Sequence, residues 1–221
     1  MKILAIDFSS PQMSVAVAAG ENSSKATVFC EVIDTGARAG GALGMVESVL
    51  RDARVEREQI ECLAIGLGPG SYNGIRTSIA LAQGWQLARA IRLIGISSAE
   101  CLVAEAQGER IFGLVTVVID AQRNEFYVAN WQVDETACSE IQPLRLATLG
   151  EIKKHEAAGE RLIGPEITKW CPQGQVVFPR AAALARFAFE RSDFVAGEEL
   201  QPIYLRETRF VKATPPRILP E

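Results

Sequence analysis

The chain has 221 residues, 48% hydrophobic and 23% charged, which is ordinary for a soluble globular protein and enough for one large domain or two small ones. Its net charge of −4 excludes broad unaided binding to a nucleic-acid backbone, which needs clustered Lys and Arg, but leaves room for a place in a complex whose other subunit holds RNA. No apolar run approaches the roughly 20 residues of a membrane span.

The start, residues 2–7, is a short apolar strand ending in Asp7, and it reads as part of the fold rather than a signal peptide. Residues 8–12 turn the chain, and residues 13–19 alternate as the hairpin partner. A second turn at residues 21–24 leads to a third strand at 25–32, then a Gly-containing loop at 34–41. The spacing predicts a helix over 42–54, with Ala42, Leu43, Val46, Val49, Leu50 and Ala53 on one face and Glu47, Arg51 and Asp52 on the other.

Residues 60–65 read as a buried strand, followed by Gly66 to Arg76, GLGPGSYNGIR, and a helix over 75–90. Gly68, Pro69, Gly70 and Gly74 allow a sharp turn and close backbone approach. Such a turn before a helix suits an anion, because unpaired N–H groups and the positive end of the helix dipole face outward. Against that, the Gly-Lys-Ser/Thr of a phosphate loop is absent, and Asn73 stands where a dinucleotide fingerprint has its third glycine. Both readings, tight turn and anion cradle, stay open at this point. The following helix is apolar on more than one side, with Ile75, Ile79 and Ala82 on one stripe and Leu81, Trp85 and Ala88 on another. It is therefore either a core helix or one that meets a partner.

After an apolar strand at 91–96, Ser97-Ser98-Ala99-Glu100 has the capping-box pattern of a helix continuing through residue 106. The opening pattern then returns: a strand at 111–119, Asp120, a turn at 121–124 and an alternating strand at 125–133. This coarse repeat indicates two half-domains. Pro143, Pro165, Pro172 and Pro179 punctuate the chain beyond residue 133, residues 181–191 form a third clear helix, and residues 209–221 read as a mobile tail.

Chemistry is sparse. His155 is the only histidine and reads as an exposed helix position, so neither a catalytic triad nor a two-histidine metal site can be drawn. Cys30, Cys62, Cys101, Cys138 and Cys171 contain no C-x-x-C pair and read as reduced thiols of a cytoplasmic protein. Asp7 and Asp120, each at a strand end, could hold hydrated magnesium and nucleotide phosphates across a cleft, with Arg76 and Arg123 as clamps. Alternatively, each carboxylate caps its own turn by bonding backbone two residues on. The first reading gives a small actin-like phosphotransferase using Asp7 and Asp120. A glycoprotease would need a nucleophile–base pair or metal motif, and neither is visible.

Met1 to Ser10, the Gly66–Arg76 loop, Ile94 to Ser98, Asp120 to Tyr127 and Pro202 to Arg206 together resemble the TsaB (YeaZ) family, the non-catalytic relatives of TsaD in tRNA threonylcarbamoyladenosine synthesis. The resemblance implies an α/β fold of two actin-like (ribonuclease H-like, ASKHA) lobes with mixed β-sheets flanked by helices, divided as 1–104 and 105–208. It implies a scaffold subunit with no catalytic residue, metal or cofactor of its own, working with TsaD and through it TsaE, and touching tRNA only indirectly. Helices 42–54 and 75–90 would bind TsaD or, without it, a second copy. Met45, Val49, Ile75, Ile79, Gln83 and Gln86 are the expected interface residues. ATP or ADP in the complex would lie near Asp7, Gly68, Gly70, Ser71 and Asp120. The chain departs from the family's habit at Phe8, Tyr72 and Asn73, and Arg38 to Ala42 replaces the usual His-Ser pair before the first interface helix.

Overall fold

The computed structural model describes residues 1–20, 27–36 and 41–205. The first sheet contains β1 (Lys2–Asp7), β2 (Met13–Ala19), β3 (Thr27–Asp34), β4 (Cys62–Gly66) and β5 (Arg92–Ile96) in the order β3-β2-β1-β4-β5. The first three strands pair antiparallel, and β1, β4 and β5 run parallel. The second sheet contains β6 (Gly113–Asp120), β7 (Glu125–Val133), β8 (Cys138–Thr148), β9 (Arg161–Gly164) and β10 (Gln175–Val176) in the order β10-β9-β6-β7-β8. It repeats the first sheet strand for strand, with the same antiparallel and parallel pairings. This is the two-lobed actin-like architecture, and the strand–Asp–turn repeat is its sequence trace.

The central strands are apolar on both sides because both faces are covered. Leu4, Ile6, Leu63 and Ile65 face α1 (Gly41–Ala53) and α2 (Tyr72–Ala88), which lie on one side of the first sheet. Ile3, Ala5, Ala16, Ala18 and Ala64 face the opposite side, where α5 (Ala181–Glu190) brings Ala181, Ala183, Leu184, Ala185 and Ala188. Small side chains on both surfaces let that Ala-rich helix pack close to the sheet.

α3 (Ser98–Gly108) and α5 tie the lobes together by exchange. Ala99, Leu102, Val103 and Ala106 of α3 pack with Val115, Val117 and Ile119 of the second sheet, while α5 returns to the first. A cut at 104/105 therefore falls inside α3, and the lobes are not contiguous stretches of chain. The N-terminus of α5 is held from the first sheet. Glu31 of β3 accepts from Ala182 N at 3.1 Å and from the Arg180 guanidinium, and Ser14 Oγ accepts from Ala181 N at 2.8 Å.

Several boundaries differ from expectation. Of the strand expected at 25–32, residues 25 and 26 lie outside the described residues, and β3 runs on to Asp34. α2 begins at Tyr72 because Ser71 caps it, accepting from Gly74 N at 3.2 Å. The expected turn at 21–24, part of the loop at 34–41 and the tail at 209–221 lie outside the described residues. β8, β9 and β10 were not expected, whereas α4 (Leu149–Ala157) is the helix on which His155 was read. β8 hid itself because Pro143 interrupts its pattern. The proline sits where the β7–β8 register shifts, at an outer strand of the sheet, where a missing N–H costs no ladder bond.

Candidate functional site

The loop between β4 and α2 closes onto the turn after β1, and the glycines are there for that contact. A Cβ on Gly70, whose φ is +148°, would lie 2.0 Å from Ser9 O, and one on Gly74 would lie 1.9 Å from Phe8 O. Ser71 N donates to Ser9 O at 2.7 Å, and Gly68 N donates to Ser98 Oγ at 3.1 Å. The close approach the glycines permit is therefore to this chain's own backbone.

Asp7 sits beneath this loop, fully buried. Its Oδ1 accepts from Ser9 N at 2.8 Å and Ser9 Oγ at 2.6 Å, and its Oδ2 accepts from Ser98 Oγ at 2.7 Å. Burial raises its pKa above the ordinary carboxylate value, and the hydrogen bonds from Ser9 and Ser98 oppose that rise. A Cβ on Gly66 would lie 2.2 Å from Oδ2, so the carboxylate is enclosed on that side as well. Asp7 thus does not face a nucleotide or anion: a group with both oxygens engaged and no solvent contact does not fit a hydrated magnesium. It joins β1, the glycine loop and the start of α3.

Asp120 ends β6 at the equivalent place. It is only partly buried, and Oδ1 accepts from Gln122 N at 2.7 Å while Oδ2 accepts from Gln122 Nε2 at 3.1 Å. Both carboxylates make the bond two residues on, which was the turn-cap reading. Gln122, Arg123 and Asn124 all have positive φ, so the turn that Asp120 caps is left-handed at three successive positions.

The expected interface residues divide differently. Met45, Val49, Ile75 and Ile79 are buried in this chain's own core beneath α1 and α2, and are corrected accordingly. The helical period was right, but the sheet claims the stripe assigned to a partner. Gln83 and Gln86 are half-buried and engaged internally: Gln83 Nε2 donates to Gly197 O at 2.8 Å, and Gln86 Oε1 accepts from Gly197 N at 2.8 Å. The residues that α2 exposes are Tyr72, Asn73, Arg76, Thr77, Ala80, Gly84, Leu87 and Ala88, with Leu87 90% exposed. α1 turns out Leu43, Glu47 and Arg51. Leu43, placed on the apolar face by its spacing, is 61% exposed.

At the start of this face stands an aromatic group that sequence reasoning did not assemble. Tyr72 and Tyr204 stack with ring centroids 5.8 Å apart, and the Arg76 guanidinium lies 3.7 Å from the Tyr72 centroid. Tyr204 is brought there by Ile203 N donating to Leu67 O at 2.9 Å. Partial burial raises the Tyr204 pKa, against the lowering influence of Arg76. The signal that could have found this group was Pro202 to Arg206 as a motif, though nothing in it points to Tyr72.

Elsewhere the chemistry stays sparse. His155 is half-buried rather than exposed: Gly159 turns the chain so that Glu160 Oε2 meets His155 Nδ1 at 2.9 Å, and Asn130 Nδ2 donates to Thr116 Oγ1 at 2.8 Å beside them. All five thiols are unpaired, and burial raises the pKa of each; that of Cys62 goes up to about 12. None is an activated nucleophile. Among the described residues no cluster of His, Cys, Asp and Glu could hold a metal, and no helix is long and apolar enough to cross a membrane. Two surface concavities, about 400 Å³ by Glu160 and Gln173 and about 720 Å³ by Glu61 and Arg89, include neither Asp7 nor Asp120 in their walls.

Residues 41–199 match the family model described as TsaD, tRNA N6-adenosine threonylcarbamoyltransferase. The chain is 28% identical to the tRNA threonylcarbamoyladenosine biosynthesis protein TsaB of Escherichia coli (strain K12), covering 97% of this chain and 99% of that protein. It is 25% identical to the TsaB protein of Haemophilus influenzae, covering 79% and 82% respectively. Among solved structures, it is similar to a Pseudomonas aeruginosa protein described as resembling peptidase YeaZ, with a TM-score of 0.74 and 25% identity over 93% of this chain and 99% of that one.

Proposed function

The chain belongs to the TsaD family as a TsaB/YeaZ-type member, and from that premise we propose that it is a non-catalytic subunit of tRNA threonylcarbamoyladenosine biosynthesis that binds TsaD. The observation that carries this is Asp7. In a two-lobed actin-like protein the strand-end carboxylate is where phosphate chemistry would be expected, yet here both its oxygens bond to Ser9 and Ser98 inside the fold. The loop that could cradle phosphate spends Gly68 N and Ser71 N on the same internal closure. The site residues do not fit a nucleotide held by this chain alone.

What the chain offers instead is surface. The outward side of α1 and α2 is mixed, but Leu43, Ala80, Gly84 and Leu87 give it apolar or small positions at which another helix pair can approach closely. TsaD is the proposed occupant in the cytoplasm. TsaE joins through TsaD, tRNA is contacted only through the assembly, and a second copy of this chain uses the same face when TsaD is absent, as a two-fold dimer naturally can.

The test is co-purification and sedimentation with TsaD from the same organism, together with an ATPase assay on the chain alone. Leu87→Glu should leave the fold intact and weaken association. Ile79→Glu instead places a charge in the core and should unfold the chain. Steady ATP hydrolysis by the pure chain, abolished by Asp7→Ala, would replace this reading with the phosphotransferase one.

A further inference from the structure

Arg76 is exposed, and its guanidinium lies 3.7 Å from the Tyr72 ring centroid and 5.7 Å from that of Tyr204. Tyr72 and Tyr204 are themselves 56% and 37% exposed, and Leu205, next in the chain after Tyr204, is 42% exposed. The arginine ion pairs among the described residues involve Arg51, Arg57, Arg110, Arg145, Arg180 and Arg191, and none involves Arg76. A stacked guanidinium keeps its N–H donors around its rim, and stacking limits the rotamer freedom lost when those donors are engaged. Among the described residues, Arg76 is therefore an oriented cation with no ion pair, at the edge of an aromatic and apolar patch.

We propose that Tyr72, Arg76 and Tyr204 form the anchoring point of the α1–α2 face, and that it receives a carboxylate side chain set in an apolar surface of the partner protein. This rests on the reading of that face as the TsaD-binding surface and adds the chemistry of its strongest contact. Tyr and Arg are enriched among the few residues that dominate binding energy at interfaces. The unpaired positive charge calls for a negative one, and Leu205 and the tyrosine rings call for an apolar surround. Nucleic acid fits less well. The chain's net charge is −4, and one arginine neutralises one phosphate.

The experiment measures affinity of the full chain for TsaD by calorimetry, at low salt and at about 0.3 M salt, for wild type, Arg76→Gln, Arg76→Lys, Tyr204→Ala and Leu87→Glu. Arg76→Gln should weaken binding by about tenfold or more and flatten its salt dependence, and Arg76→Lys should restore only part of the loss. Circular dichroism should show every variant folded; Arg76 is exposed, so its substitution decides the matter even if Tyr204→Ala fails to fold. If Leu87→Glu weakens binding while Arg76→Gln stays within about twofold of wild type, the anchor is wrong and the face stands. If wild type does not bind TsaD, or neither variant weakens it, both are wrong. Loss of tRNA binding by Arg76→Gln with unchanged TsaD affinity would reassign the group to nucleic acid.

Discussion

Two glycines of α2 respond in opposite directions to the same substitution. Helix propensity alone says that Gly→Ala at either Gly74 or Gly84 stabilises, by about 0.8–1 kcal/mol. At Gly84 a new Cβ meets nothing within 4 Å, so the propensity gain should be realised. At Gly74 it would lie 1.9 Å from Phe8 O and 2.9 Å from Phe8 C. Carbon and oxygen normally rest no closer than about 3.3 Å, so α2 or the turn after β1 must move by about 1.4 Å. The obstacle is backbone, which cannot swing aside as a side-chain tip would. Overpacking of this kind costs about 1–3 kcal/mol and sometimes more. Net of the propensity gain, Gly74→Ala should destabilise by about 1 kcal/mol, lowering Tm by about 2–4 °C for a chain of this size. Gly84→Ala should raise Tm by about 1–4 °C. Urea and thermal unfolding of both variants test the pair. A Gly74→Ala protein as stable as wild type would refute the claim that the glycine loop exists for backbone contact with Phe8 and Ser9. Because Gly84 lies on the outward face, its variant should also be assayed for TsaD binding, separately from stability.

Three further outcomes are expected. Asp7 has a raised folded pKa, so the folded state holds its proton more tightly than the unfolded chain; its stabilising contribution is full below about 3.9 and is lost as pH rises through the higher folded value. Unfolding free energies measured from acid to neutral pH should therefore show wild type losing ground against Asp7→Asn, and a flat or reversed difference would contradict this. Ser98→Ala removes a donor to the Asp7 carboxylate and the acceptor for Gly68 N, and should cost about 2–3 kcal/mol by urea denaturation; a loss under about 0.5 kcal/mol would show that water or Ser9 replaces it. Glu31→Ala removes the acceptor for Ala182 N, leaving Ser14 as the remaining acceptor at the α5 N-terminus, and leaves Arg180 without its ion pair; it should cost about 2 kcal/mol, with amide exchange rising first in α5; unchanged protection there would refute the docking role.

Short-range features were legible from the amino-acid order alone. The apolar strands that end in Asp7 and Asp120, and the bonds those carboxylates make two residues on, depend on neighbours a few positions away. So does the capping of α3 by Ser97, which accepts from Ala99 N at 3.2 Å. The duplication of strand, Asp and turn was visible too, since each half must build the same hairpin, and the two sheets bear out that pattern. Tertiary structure decided which side of each element meets what. A helical period places Ile75 and Ile79 on one stripe but carries no information on whether a sheet or a partner covers it; here β1 and β4 do. Asp7 and Ser98 are 91 positions apart, so no local pattern could show that the carboxylate is sealed inside the fold. Likewise, Tyr204 reaches Tyr72 only because the chain after α5 returns along the first lobe, and α5 sits on the first sheet because Glu31 and Ser14 take up its free N–H groups. Periodicity records that a side chain must be buried, whereas the identity of the covering surface depends on pairings between distant segments, which only the closed fold defines.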